Sequence, residues 1–163
     1  MVWAAIWLDG GRGCKSKLVF MQRDETRVRK GYTARSYIQA LEEGLLPIYD
    51  ETRKFVQDNA SIHRARPTME WLEQHNVALW DWPPHSPDLN PIEHCWAWMK
   101  AYMRKRWPEN PMLKKNEPDI EEFKRRMTLA WEALPESVIR GVIKSMANRC
   151  FAVRKARGGY TKY

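Results

Sequence analysis

The sequence predicts an α/β fold with a mixed sheet flanked by helices, and three observations predict it. Strand-length apolar runs alternate with segments of helical periodicity through the first hundred residues. The first two runs are joined by a glycine-rich turn, which adds an antiparallel pair to the sheet. The last third carries only helical patterns. The chain has 163 residues, with 44% hydrophobic and 29% charged, enough for one folded domain.

Residues 2–8 are apolar on both faces, as a central strand is. Asp9-Gly10-Gly11-Arg12-Gly13 reads as a turn, and residues 17–21 as the returning strand, with a loose loop between them. Residues 24–30 are charged and read as a loop. Residues 33–46 place Tyr37, Ile38, Leu41, Leu45 and Leu46 on one helical face, and Pro47 stops that helix. Residues 54–57 form a short strand running into Asp58-Asn59. Residues 67–75 form a helix, with Pro67 in its first turn and Asn76 at its C-cap. Residues 77–80 are a further strand. The stretch from 82 to 91 holds four prolines and can be neither regular helix nor central strand. Beyond it Ile92, Trp96, Met99 and Met103 recur at helical spacing up to Pro108. Residues 119–131 and 136–146 are two more amphipathic helices, and the chain ends in a basic, glycine-rich tail.

Function classes narrow from composition. The longest clean apolar run, at 2–8, is far too short to span a bilayer, and it lacks the features of a signal peptide, so no membrane partner is expected. Three cysteines (Cys14, Cys95, Cys150) with no close pair fit reduced thiols rather than a disulfide framework. The net charge of +8 is one-sided: residues 1–99 hold 12 basic against 13 acidic groups, and residues 100–163 hold 16 against 7. Such a segment suits a polyanion, most often nucleic acid; a lysine-rich solvated helical surface is the plainer alternative.

Two carboxylates stand out by position. Asp58 follows the C-terminal end of a strand, the end that faces the ligand crevice in open α/β sheets. Glu93 opens a helix directly after the proline loop, with 34 residues between the two acids. Converging carboxylates tolerate each other when a cation lies between them, and oxygen-only ligands favour Mg²⁺ or Mn²⁺, ions suited to phosphoryl transfer. Each has a plainer reading. Asp58-Asn59 is also a turn composition, and Asn90-Pro91-Ile92-Glu93 is also a helix N-terminus with a capping box. His63 is a candidate second-layer or phosphate contact, or a surface residue. His85, His94 and Cys95 lack the partner pair that zinc spacing requires. Trp80, Trp82, Trp96 and Trp98 are candidates for stacking on bases; Trp96 lies on the apolar stripe and Trp98 off it.

The runs Gln57-Asp58-Asn59-Ala60-Ser61-Ile62-His63 and Trp82-Pro83-Pro84-His85-Ser86-Pro87-Asp88-Leu89-Asn90-Pro91-Ile92-Glu93-His94-Cys95-Trp96 resemble the catalytic core of mariner-type DDE transposases. Val2-Trp3-Ala4-Ala5-Ile6 resembles that family's second strand, with Ala4 where glycine is usual. Leu41 to Pro47 resembles the family's Leu-Leu-Pro helix end, and Ser145-Met146 to Cys150, followed by Gly158-Gly159-Tyr160-Thr161-Lys162-Tyr163, resembles the C-terminal end of fungal members. The resemblance implies an RNase H-like mixed sheet flanked by helices, its first strand missing, with a helical C-terminal part: a partial core over 1–150 and a basic, flexible tail over 151–163. It implies divalent-metal-dependent DNA cleavage and strand transfer, with Asp58 and Glu93 as second and third catalytic acids and metal ligands for Mg²⁺ or Mn²⁺. The family's first Asp lies on the strand before the one that opens this chain. Asp9 is not accepted in its place, so a truncated enzyme, inactive alone, is the expectation. Asn59, His63, Lys100, Arg104, Lys105, Arg106, Lys124, Arg125 and Arg126 are the expected nucleic-acid contacts. DNA is the expected partner, with a homodimer, a nuclear location and no small-molecule cofactor. The alternative is a non-catalytic nucleic-acid-binding module using the basic half.

Overall fold

The computed structural model describes residues 1–26, 31–83, 86, 89–108 and 117–157. They form two compact units, Met1–Ala5 with Ser16–Pro87, and Ile6–Lys15 with Asp88–Tyr163.

In the first unit β1 (Val2–Trp3) pairs antiparallel with β4 (Val19–Phe20), Val2 opposite Phe20 and Trp3 opposite Val19. Beside this pair the Ser16 amide donates to the Ala5 carbonyl at 2.9 Å, and the Ser16 hydroxyl accepts the Ala5 amide at 2.8 Å. The expected strand over 2–8 is therefore two short strands with a break at Ala4-Ala5. Helix α1 (Ala34–Gly44) begins at the N-cap Thr33, which closes a capping box with Ser36. It buries Tyr37, Ala40 and Leu41 and stops before a 3-10 turn at Leu46–Ile48 that holds Pro47. Gly44 is required by packing, because a Cβ there would strike the Trp3 ring.

A one-turn helix, α2 (Ser61–Arg64), leads into α3 (Arg66–Gln74), with Pro67 in the first turn. Asn76 takes a left-handed φ of 52°. The Val77 amide bonds the Leu72 carbonyl at 2.8 Å and the Asn76 amide bonds Glu73 at 3.0 Å, the Schellman pattern, with Leu72 and Val77 both buried. The expected strands at 54–57 and 77–80 meet in a single parallel bridge, Phe55 with Leu79. The Phe55 amide donates to the Ala78 carbonyl at 2.7 Å, and the Trp80 amide donates to the Phe55 carbonyl at 2.9 Å. Pairing goes no further because a turn begins at Asp58 on one side and prolines follow on the other. The core of this unit gathers Trp3, Val19, Tyr37, Leu41, Trp71 and Leu72.

In the second unit β2 (Ile6–Asp9) pairs antiparallel with β3 (Arg12–Lys15), closed by Gly10 and Gly11 at φ 53° and 84°. Two positive φ values in a two-residue loop are what a type I′ hairpin needs. The loose loop expected from sequence is thus a tight turn, and the second strand starts earlier than residue 17. Helix α4 (Ile92–Arg106) ends before Pro108; α5 spans Glu117–Glu132, α6 Glu136–Lys144 and α7 Met146–Lys155. The start of α6 lies so close to β3 that a Cβ on Gly13 would come within 2.6 Å of the Glu136 carbonyl oxygen. Cys95 and Met99 are the buried residues of α4, whereas Ile92, Trp96 and Met103 are only half-buried. Both α5 and α6 pack on α4, so its covered face is broader than the stripe seen in sequence and is centred differently. Residues 151–155 are helical, and the end of the expected tail, like residues 84, 85, 87 and 88 of the proline loop, lies outside the described residues.

Candidate active site

Asp58 sits three residues past the Phe55–Leu79 bridge, where the chain leaves the paired strand and turns into α2. Its Oδ1 accepts the Ala60 amide at 3.0 Å, which makes the turn, and lies 2.6 Å from His63 Nδ1. A carboxylate only accepts, so Nδ1 is the protonated nitrogen of that ring. The Asp58 side chain is 59% exposed and that of His63 only 18%. Among the described residues Oδ2 of Asp58 has no partner. The turn reading and the functional reading therefore coexist: one oxygen makes the turn and the other is left without a partner among the described residues.

A part-buried chain of contacts stands behind His63. Its ring lies on Tyr37, centroids 4.0 Å apart. The Tyr37 hydroxyl donates to Gln57 Oε1 at 2.7 Å, and Gln57 Nε2 donates to the His63 carbonyl at 3.3 Å. Burial pushes the Tyr37 hydroxyl well above its ordinary pKa, so it remains a donor at any physiological pH. Tyr37 and Gln57 were not site candidates in the sequence; Tyr37 read only as a residue of a buried helical stripe.

Asn59 donates its side-chain N–H to the Trp82 carbonyl at 2.9 Å, tying the Asp58 turn to the segment after Leu79. Together these segments shape a cleft of about 200 Å³ whose lining includes Asp58, Asn59, Arg64, Trp80, Asp81 and Trp82. Trp80 is 56% exposed, with the Lys54 ammonium 5.0 Å from its ring centroid.

Glu93 is exposed in the first turn of α4. The helix N-cap is Pro91, with no side-chain cap bond, rather than the expected Asn90. Among the described residues Asn90 Oδ1 accepts only the Ile92 amide, at 3.4 Å, so the expected capping box with Glu93 does not form. Lys100 and Arg104 share its exposed face, seven and eleven residues on, or about 10 and 16 Å further along the axis at ~1.5 Å per residue. Lys105 and Arg106 are exposed on other faces, and Arg106 packs over Trp107 at 5.8 Å. On α5 the expected DNA contacts already hold acids: Lys124 with Glu121 at 2.6 Å, and Arg125 and Arg126 with Glu122 at 2.7 and 2.6 Å. Those two guanidiniums hold the Glu122 carboxyl down at about 2. Trp96 lies against Trp131, centroids 4.9 Å apart, and Trp98 stacks on Tyr102 at 5.2 Å. Among the described residues no three His, Cys, Asp or Glu side chains cluster as a ready-made metal site. No described helix is long and apolar enough to cross a membrane.

The chain belongs to the DDE superfamily endonuclease family, whose model matches residues 3–114, a span that includes Asp58 and Glu93. Relatives are transposases of nematode elements. The chain is 38% identical over 109 residues to the transposable element Tcb2 transposase of Caenorhabditis briggsae, and 39% identical over 109 residues to the Tc1 transposase of Caenorhabditis elegans. Each match covers 67% of this chain and 37% of the relative, so the chain spans little more than a third of those proteins. Among solved structures it is similar to the Mos1 transposase catalytic domain with raltegravir and Mn, with TM-score 0.63 and 20% identity over 98% of this chain and 76% of that one. The Mos1 mariner transposase catalytic domain also gives 0.63. At this identity the likeness shows the fold, which is the RNase H-like α/β architecture.

Proposed function

We propose that this chain carries part of a transposase active site that cleaves and joins DNA strands with a divalent metal, and that Asp58 and Glu93 are two of its acidic ligands. The observation that carries the reading is the Asp58 carboxylate itself: Oδ1 is held by His63 and the Ala60 amide, Oδ2 has no partner among the described residues, and the side chain as a whole is more than half exposed just past the Phe55–Leu79 bridge. The donor set fits a hard ion, since Asp58 and Glu93 offer carboxylate oxygens and neither thiol nor imidazole competes at Oδ2. Bound there, Mg²⁺ or Mn²⁺ would activate an attacking oxygen and stabilise the leaving one. His63 keeps the Asp58 plane fixed, and the Tyr37–Gln57 pair keeps His63 fixed, so the ligand is presented without loss of side-chain freedom at the moment of binding. Lys100 and Arg104 line the exposed face of the helix that Glu93 opens and hold phosphates along it. Cleavage is attack of water on a phosphodiester phosphorus with departure of the 3′-oxygen, which takes a proton. Strand transfer is attack of that 3′-hydroxyl, which gives up its proton, on a second phosphodiester phosphorus, with departure of the target strand's 3′-oxygen as a hydroxyl. The family's first acid has no assigned counterpart in this sequence, and activity of the chain alone is expected to be low for that reason.

Supercoiled plasmid with Mn²⁺ tests this. The purified chain is expected to be inactive alone or nearly so; whatever nicking it shows is expected to fall at least a hundredfold in Asp58→Ala and Glu93→Ala. Nicking that survives both substitutions would sink the assignment.

A second reading, a non-catalytic DNA-binding module, is favoured by one observation, the sixteen basic against seven acidic groups beyond residue 99. DNA binding that is strong without metal, with no nicking under any metal, would select it. Both readings place the chain in the nucleus as a homodimer; imaging of a tagged chain and light scattering test those two parts.

A further inference from the structure

We infer that the cleft beside Asp58 takes one unpaired DNA base. The inference rests on the proposed DNA-processing role and names what that site holds next to the reacting phosphate. The cleft lies wholly within the first unit and has about 200 Å³ of space, room for a single nucleobase but not for a base pair. Its lining combines apolar side chains, Met69 and Leu79, with the indole of Trp80. An indole exposed to 56% is a large apolar face left to solvent, and a base is the DNA group that covers such a face well. The polar groups match the rest of a nucleotide. The Asp81 carboxylate accepts from an exocyclic amine, and the Arg64 guanidinium and the Lys54 ammonium beside Trp80 attract the flanking phosphates. The Asn59–Trp82 hydrogen bond fixes the rim, so the cleft exists before the ligand arrives. A base reaches it only when unstacked from the duplex, which costs least at a frayed or single-stranded end. The cleft therefore favours strand ends over continuous duplex.

The test uses the whole chain and DNA oligonucleotides carrying 2-aminopurine, whose fluorescence is quenched by stacking on an indole. The expected result is quenching with a single-stranded 3′ overhang, less with a blunt duplex, and none with free 2-aminopurine ribonucleoside monophosphate at equal concentration. Trp80→Ala is expected to abolish the quench and weaken overhang binding about tenfold or more, with Trp80→Phe restoring affinity. Trp80 is exposed, so Trp80→Ala is expected to leave the melting temperature unchanged, which separates lost stacking from lost fold. Quenching that persists in Trp80→Ala, equal quenching by blunt duplex, or tighter binding of the free nucleotide would each overturn the inference. Asp58→Asn keeps the two proposals apart. Quenching retained there with nicking lost supports both. A plasmid nicked by the unaltered chain without any quench leaves the active site standing and removes the base cleft.

Discussion

At the scale of single residues the chemistry follows from which atom of each side chain is already engaged. His63 is the clearest case. Sequence offered it as a second-layer or phosphate contact, and the structure turns its ring onto Tyr37 and its Nδ1 onto Asp58. A group so engaged is a positioning residue. His63→Ala is accordingly expected to raise the metal concentration needed for nicking by about ten- to a hundredfold while changing DNA affinity little. A matched loss of DNA affinity would return it to the phosphate contacts. Cys95 gives a second prediction. It is fully buried, and burial pushes its thiol from 9.0 to about 11. Folding thus holds the protonated form, a contribution complete below pH 9 and lost as pH climbs through about 11. At pH 8 a thiolate-directed reagent is expected to modify exposed Cys150 readily and to leave Cys95 unmodified until the chain unfolds, as read by mass spectrometry.

Elements were legible where their signals are local. Thr33, Pro47, Pro67 and Asn76 each act on backbone within a turn of themselves, and the helix ends they mark in sequence are close to the ends observed. The parallel bridge between Phe55 and Leu79 joins segments 24 residues apart, and neither run shows how short the pairing would be. The Tyr37–Gln57–His63 chain was invisible for the same reason, since Tyr37 announces only a buried face. Lys15 falls in the loop expected between the first two strands, and nothing in the sequence singles it out. Its ammonium in fact donates to the carbonyls of Trp131, Glu132 and Leu134 at 2.6 to 2.8 Å, closing the C-terminal end of α5. Burial lowers its pKa, against the pull of Glu132. Lys15→Met is expected to destabilise by about 1–3 kcal/mol, measured by urea unfolding, because orphaned carbonyls at a helix terminus lose a cationic donor. The basic residues of α4 and α5 separate at this scale too. Each phosphate neutralised contributes ~0.9 to the slope of log affinity against log salt. Lys100→Ala and Arg104→Ala are each expected to lower that slope by about one, whereas Lys124→Ala and Arg125→Ala, already paired with Glu121 and Glu122, are expected to change it less.

At the scale of the molecule, the chain is cut across its own order. The core cluster around Leu41 belongs wholly to the first unit, while the second collects the opening hairpin and everything from α4 on. What sequence could not show was that residues 6–15 belong with the distant helices, because nothing local to a hairpin names the surface that will cover it. Gly13 and Glu136, 123 residues apart, are brought together by that arrangement. The arrangement has a consequence for how the protein is made. A ribosome emitting about 5–20 residues per second needs roughly 6–25 s to travel from Gly13 to Glu136. Throughout that interval the newborn hairpin has no lid, and Trp7 and Leu8 are open to whatever else is nearby. A nascent chain stalled before α5 is the form in which chaperone engagement, or aggregation on the polysome, should concentrate.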